Sequence, residues 1–190
     1  MRNLITGASG FIGKHLSARL LKKGQEVWVP PQALIYSTEL LKDFITQVNP
    51  DYIYHLAAYG NKYDQTNERE IIECNIVGLW NLLEASKEVN YKGFVSFSSS
   101  STLLDYETFY SATKGGGERI VKAFVNKYDK PVVTVRPYSV YGPDDDPKHF
   151  IPVAIKAFKE NLELNVAPGD HDWIHVSDLI GGVLKVAENA

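Results

Sequence analysis

Tyr110 and Lys114, four positions apart, stand just beyond a run of serines, Ser98 to Ser101, that ends the apolar segment Val95 to Phe97. If Phe109 to Tyr128 is a helix, the two side chains share one face with Cβ atoms roughly 5–6 Å apart. A phenol ordinarily titrates near about 10, too high for proton transfer at neutral pH. An ammonium beside it favours the phenolate and draws that value down. A serine hydroxyl arriving from the preceding strand can bind the oxygen that gains or loses the proton. Lysine would tune, tyrosine transfer and serine position. A Tyr-x-x-x-Lys spacing occurs by chance on many helices, so the elements around it decide its meaning.

The first of these elements is at the N-terminus. Leu4 and Ile5 read as a short strand running into Thr6, Gly7, Ala8, Ser9, Gly10, Phe11, Ile12 and Gly13. An amphipathic helix with Phe11, Ile12, Leu16, Leu20 and Leu21 follows and stops at Gly24. Strand, glycine turn and helix place a pyrophosphate on a helix N-terminus: Gly7 for the tight turn, Gly10 for close approach to phosphate, Gly13 for helix–strand packing. The spacing is G-x-x-G-x-x-G, not G-x-G-x-x-G. A second strand, Glu26 to Val29, meets Pro30 and Pro31. An acid at this strand's end suits the ribose of NAD and an arginine the 2′-phosphate of NADP. No Asp, Glu, Lys or Arg lies between Val27 and Thr38, so the choice between NAD and NADP stays open.

Thr38 reads as the N-cap of a helix from Glu39 to Val48, ended by Asn49 and Pro50. Tyr52 to Leu56 is a strand closed by small residues, Ala57 and Ala58, that admit a ligand near the backbone; His55 is expected to pack or bond locally. A helix from Glu68 to Val89 carries an apolar stripe wider than one core face requires, which predicts a homodimer through this helix and the 109–128 helix. Gly115, Gly116 and Gly117 predict close approach of another helix. Val132 to Val135 is a strand, Asp144 to Asp146 a surface loop, Phe150 to Lys159 a helix, and Leu162 to Val166 and Asp172 to Val176 short strands. Ser177 is expected to cap a last helix, Asp178 to Glu188. His171 and His175 have no clear third partner, so no metal is expected.

The 190 residues, 44% apolar and 23% charged, suit one globular domain. A net charge of −3 without a dense run of Lys or Arg excludes nucleic acid as an expected partner. A single cysteine, Cys74, excludes an internal disulfide framework and makes a Cys-based zinc site implausible. Without a signal-peptide pattern or a membrane-length apolar run, a cytoplasmic location is expected.

Strands alternating with helices predict an α/β fold, a doubly wound parallel sheet with helices on both faces. Together Thr6 to Gly13, His55 to Ala58, Ser98 to Ser101, Tyr110 with Lys114, and Arg136 to Pro143 resemble the extended short-chain dehydrogenase/reductase family, in its NAD-dependent epimerase/dehydratase branch. The resemblance implies a Rossmann-like domain over residues 1–190 with a reduced substrate-lobe segment at about 143–176. It implies that Gly7, Ser9, Gly10, Phe11, Ile12, Gly13, Leu56, Ala57, Ala58, Asn75, Ser98, Pro137, Tyr138 and Val140 line the NAD or NADP site. It also makes Ser100 the catalytic serine, Tyr110 the acid/base and Lys114 a further ligand of the nicotinamide ribose. Tyr59, Ser100, Ser101, Thr102, Tyr141 and His171 would face a nucleotide sugar.

Departures from the family pattern narrow the chemistry. Ser101 and Thr102 replace an Asp-Glu pair that family dehydratases carry, which disfavours dehydration; Leu104 replaces a tyrosine, and His171 an arginine that meets substrate phosphates. The resemblance therefore implies a nucleotide-sugar epimerase or reductase. The alternative is a truncated, non-catalytic NAD(P)-binding protein acting as a sensor or partner subunit, since family members usually continue beyond the position of Ala190.

Overall fold

The computed structural model describes residues 1–62, 64–166 and 169–190. Five strands form one parallel sheet: β1 (Arg2–Thr6), β2 (Glu26–Trp28), β3 (Tyr52–His55), β4 (Gly93–Phe97) and β5 (Val132–Val135), in the order β2-β1-β3-β4-β5. The pairing is parallel throughout, for example Leu4 with Ile53 and Ile53 with Phe94. β3 and β4 are buried along their whole length, as a sheet covered on both faces requires. Leu4, Ile53, Phe94 and Val132 face α2 (Thr38–Val48), α4 (Gly78–Ser86) and α5 (Phe109–Tyr128). Ile5, Tyr54 and Val95 face α1 (Phe11–Lys22) and α7 (Val176–Glu188). The expected doubly wound α/β fold is therefore present.

The order reverses between β1 and β3, and it is at such a switch point that open α/β sheets bind ligands, beyond the carboxyl ends of the strands. The usual dinucleotide order carries a further strand outside β2. Here β2 is the edge, and the chain passes through Pro30, Pro31 and a 3-10 turn, Gln32–Tyr36, directly into α2. A separate two-stranded parallel sheet pairs β6 (Ser139–Tyr141) with β7 (Trp173–His175). α6 (Phe150–Glu160) lies between them in sequence.

Several boundaries depart from the sequence expectation. α2 is capped by Ser37, whose Oγ accepts the Leu40 N–H, while the Thr38 hydroxyl donates to Asn81 Oδ1. The helix expected over 68–89 begins as α3 (Glu68–Ile72), widens into a π turn at Glu73–Val77 and continues as α4, which ends at Ser86. No strand forms over 162–166. α7 begins at Val176, not Asp178, because the His175 side chain caps it by accepting the Ser177 N–H. The Asp144 to Asp146 turn is not wholly a surface loop: the Asp145 side chain is 2% exposed and accepts from the Asp146 N–H and pairs with His149.

Candidate active site

The glycine turn is built by close approach of backbone to backbone. Gly7 has φ +73°, and a Cβ there would lie 2.6 Å from the Ala57 nitrogen at the end of β3. At Gly13 a Cβ would lie 2.2 Å from the Gly7 carbonyl oxygen. The turn therefore sits tight against the β3 terminus and the first turn of α1. No acidic residue and no side-chain cap occupy that helix N-terminus, and Ser9 and Gly10 are exposed. Free N–H groups and the positive end of the helix dipole suit an anion there, so the cradle fits the pyrophosphate of a dinucleotide. Thr6 joins the two strand ends: its Oγ1 lies 2.7 Å from His55 Nδ1 and accepts the Ala57 N–H. Burial pushes the His55 imidazole down to about 3 and keeps it neutral, in accord with a local packing role.

α5 carries Tyr110 and Lys114 on one face, held at its start by a capping box between Thr108 and Ser111. The lysine is buried, and its Nζ donates to the Phe97 carbonyl at 2.6 Å, where β4 ends. Burial pushes its ammonium down to about 8. The Tyr110 phenol is not drawn down, as the spacing suggested, but raised by burial, and a hydrogen bond with the Ser99 side chain acts in the opposite direction. The physical reason is that Lys114 bonds to the backbone of β4 and its Nζ stays 5.9 Å from the centre of the Tyr110 ring.

The serines separate into distinct roles. Ser98 Oγ donates to Glu118. Ser99 is the hydroxyl that acts to lower the Tyr110 phenol, and its Oγ accepts the Ser101 N–H. The Ser100 N–H donates to the Pro137 carbonyl, tying the serine run to the segment after β5. Ser101 Oγ is buried without a hydrogen-bond partner, and Thr102 Oγ1 donates to the Ser99 carbonyl. Four identical residues in sequence give no signal of which one faces the helix, so Ser99 carries no mark of its own there.

Asn75 lies in the π turn and makes contacts to the chain itself. Its Oδ1 accepts the Tyr59 N–H at 2.9 Å, and its Nδ2 donates to the Tyr59 carbonyl and to Thr113 Oγ1. Thr113 in turn donates to the Tyr110 carbonyl. These bonds fix the segment that ends at Tyr59 to α5. Gly116 and Gly117 allow this closeness: Cβ atoms there would lie 3.2 Å from Ile76 Cδ1 and 3.1 Å from Leu79 Cδ2. The expected close approach of a second helix is thus present.

The small sheet gathers Tyr141, Trp173 and His175, with the Tyr141 ring edge-on to both, and His171 lies against Trp173. Val140 packs into the core beneath. Pro137 and Tyr138, expected beside nicotinamide, line a groove of about 380 Å³ with Trp173 and Leu179. One wall of that groove is α7, and no residue of the glycine cradle lines it. Among the described residues no group of three His, Cys, Asp or Glu side chains could hold a metal ion, and no helix is long and apolar enough to cross a membrane.

A family model for the NAD dependent epimerase/dehydratase family matches residues 3–190. The chain is 27% identical to protein CapI of Staphylococcus aureus, over 99% of this chain and 70% of that protein. It is 25% identical to a probable UDP-glucuronate 4-epimerase of Rhizobium meliloti, over 98% of this chain and 68% of that protein. Both alignments run over 232 positions against 190 residues here, so these relatives carry segments inside the matched span that this chain does not. The crystal structure of a UDP-glucose 4-epimerase of Thermus thermophilus in complex with NAD superposes with a TM-score of 0.79 at 25% identity, covering 98% of this chain and 74% of that one.

Proposed function

Because the chain belongs to the NAD dependent epimerase/dehydratase family, we propose that it binds NAD or NADP in the glycine cradle and acts on a nucleotide sugar as an epimerase or, running once, a reductase. The observation that carries this is a phosphate-fitting cradle, Gly7 to Gly13, at the end of β1, together with Tyr110 and the buried Lys114 beside the end of β4, the two strands flanking β3. Relatives that are UDP-sugar 4-epimerases, one of them solved with NAD, support the substrate class and the cofactor.

The free backbone amides at the start of α1, Phe11 to Gly13, would hold the pyrophosphate, and Lys114 would reach a ribose hydroxyl. The bound dinucleotide supplies hydride acceptance and return at the sugar carbon. Tyr110 takes the proton from the sugar hydroxyl and gives it back, while the serine run orients that oxygen. Burial keeps water away from the Lys114 ammonium. Residues 143–176 would form a reduced substrate side, with Tyr141 and His171 toward the sugar or its diphosphate. Exposed Ile72, Val77 and Trp80 support a homodimer through the 68–89 and 109–128 segments.

A second reading, a dinucleotide-binding protein without turnover, is favoured by the raised Tyr110 phenol, which unaided is a poor base at neutral pH. Calorimetric titration with NAD⁺, NADH, NADP⁺ and NADPH, followed by turnover of a UDP-sugar panel by wild type and Tyr110→Phe, separates the two. Turnover lost in Tyr110→Phe with cofactor affinity kept supports catalysis. Binding without turnover in wild type supports the second reading, and no binding to any of the four overturns both.

A further inference from the structure

Glu118 stands four residues beyond Lys114 on α5, so Tyr110, Lys114 and Glu118 form one stripe along the helix. Its carboxylate is the most heavily bonded in the site region. Oε1 accepts from Ser98 Oγ at 2.5 Å and from Arg136 Nε at 3.0 Å, and Oε2 accepts from Arg136 Nη2 at 2.5 Å. The guanidinium thus grips the carboxylate with two parallel bonds, the geometry that makes Arg–carboxylate pairs directional. Three elements meet at this carboxylate: α5 through Glu118, the end of β4 through Ser98, and the end of β5 through Arg136. Each of those strand ends carries groups of the site. The Phe97 carbonyl accepts from Lys114, the Ser98 N–H donates to the Val135 carbonyl, and the Ser100 N–H donates to the Pro137 carbonyl.

We propose that Glu118, gripped by Arg136, is a positioning residue for the Ser–Tyr–Lys site: it fixes the root of the serine run against α5 and supplies the counter-charge to the Lys114 ammonium. This inference rests on the catalytic reading for its kinetic effect but not for its electrostatic one.

The groups that face Lys114 are few. Glu118 approaches from its own helix, Cys74 from the π turn and His55 from β3, with the Tyr110 ring alongside. His55 is neutral through burial. Burial raises the Cys74 thiol and keeps it protonated at neutral pH. Glu118 is held below the usual carboxylate range, first by its bond to Arg136, so it is the one group of these that carries a full negative charge at neutral pH. It opposes the burial that pushes the lysine down. Glu118→Gln keeps the shape but removes that charge, and Arg136→Gln keeps the charge but removes the grip.

The test pairs these two variants with Glu118→Asp and reads both turnover and the titration of Lys114, followed by NMR on ¹³C-labelled lysine. Both neutral variants are expected to lose kcat by an order of magnitude or more, since misplacing reacting groups by about 1 Å can cost on the order of 10²-fold. They are expected to move the Lys114 midpoint differently, downward in Glu118→Gln and unchanged or upward in Arg136→Gln. Glu118→Asp restores the midpoint toward wild type. A Lys114 midpoint that stays put in Glu118→Gln, or moves the same way in both neutral variants, overturns the proposal. So does wild-type kcat in both neutral variants when wild type turns over. Wild type without turnover refutes the catalytic reading alone, and the lysine titration then decides this inference by itself. If Glu118→Gln fails to fold by circular dichroism, Glu118→Met, which removes the same charge, takes its place in the comparison.

Discussion

Replacing Asn75 by alanine removes three hydrogen bonds at once, two to the backbone of Tyr59 and one to Thr113 Oγ1. A net hydrogen bond contributes about 0.5–1.5 kcal/mol, and a buried group left without a partner costs about 1–3 kcal/mol. Tyr59 is only half-buried, so water can reach its freed N–H and carbonyl and spare most of that second cost. Thr113 is buried but keeps its donor bond to the Tyr110 carbonyl. The sum for Asn75→Ala is therefore roughly 2–4 kcal/mol, which for a chain of this length lowers Tm by roughly 5–15 °C. Asn75→Asp retains volume and the acceptor for the Tyr59 N–H. It turns a second oxygen toward the Tyr59 carbonyl, so at neutral pH it should destabilise at least as much as alanine. The assay is urea unfolding followed by circular dichroism, with wild type and both variants at pH 7. A loss below about 0.5 kcal/mol for Asn75→Ala, within the range of surface substitutions, would refute the view that Asn75 clamps this segment. An Asn75→Asp protein as stable as wild type would refute the assignment of its nitrogen as donor.

Gly13→Ala places a Cβ 2.2 Å from the Gly7 carbonyl and should abolish dinucleotide binding in calorimetry, whereas Gly182→Ala, with open space around it in α7, should gain about 0.8–1.0 kcal/mol from helix propensity; equal behaviour of the two would sink the close-packed cradle. The Lys114 ammonium titrates at about 8 in the folded chain against its ordinary 10.5. The unfolded chain therefore binds the extra proton between those values, and the lysine raises stability with pH from about 8 toward 10 by roughly 3 kcal/mol at most, an increase opposed from about 9 upward by Cys74, whose thiol burial raises. Above about 10 the unfolded tyrosines lose protons more readily than buried Tyr54, whose phenol is raised by burial, and the gain reverses. Urea midpoints across pH 7–10 should show this rise in wild type and not in Lys114→Met. Trp80, 43% exposed, should hold a sedimenting dimer together. Trp80→Glu is expected to sediment as monomer with unchanged circular dichroism, and a wild-type monomer would remove the dimer.

Much of the fold was readable because local and global signals agree. The apolar runs at Leu4–Ile5, Tyr52–Tyr54 and Val95–Phe97 are buried on both faces, and continuous apolar runs are what parallel strands show. The glycines at 7, 10 and 13 announce the cradle by type and spacing alone. What was not readable depends on contacts between elements distant in sequence. Which serine meets Tyr110 is decided by how β4 ends against α5, and Lys114 bonds to Phe97, not to the phenol, because the helix sits close over that strand end. The bonds of Asn75 to Tyr59 and Thr113 join segments 16 and 38 residues away and leave no local sequence signal. Leu162 to Val166 has the composition of a strand, but among the described residues the small sheet pairs only β6 with β7.

The π turn at Glu73–Val77 bears on which changes of chain length the molecule can survive. A π turn holds one residue more than the α-helix it interrupts. Before it Ile71 faces inward, within it Cys74 and Asn75 do, and after it Leu79, Leu82 and Leu83 do so. Deleting one residue there would restore unbroken α geometry while rotating one half of the rod against the other by about a quarter turn. Either the Asn75 amide would swing away from Tyr59 or the leucines would swing out of the core. The fold of a single chain should tolerate point substitutions at exposed Ile72 and Val77, but not a one-residue deletion. The bulge works as a phase-shifter between two sections whose inward faces would otherwise be out of step.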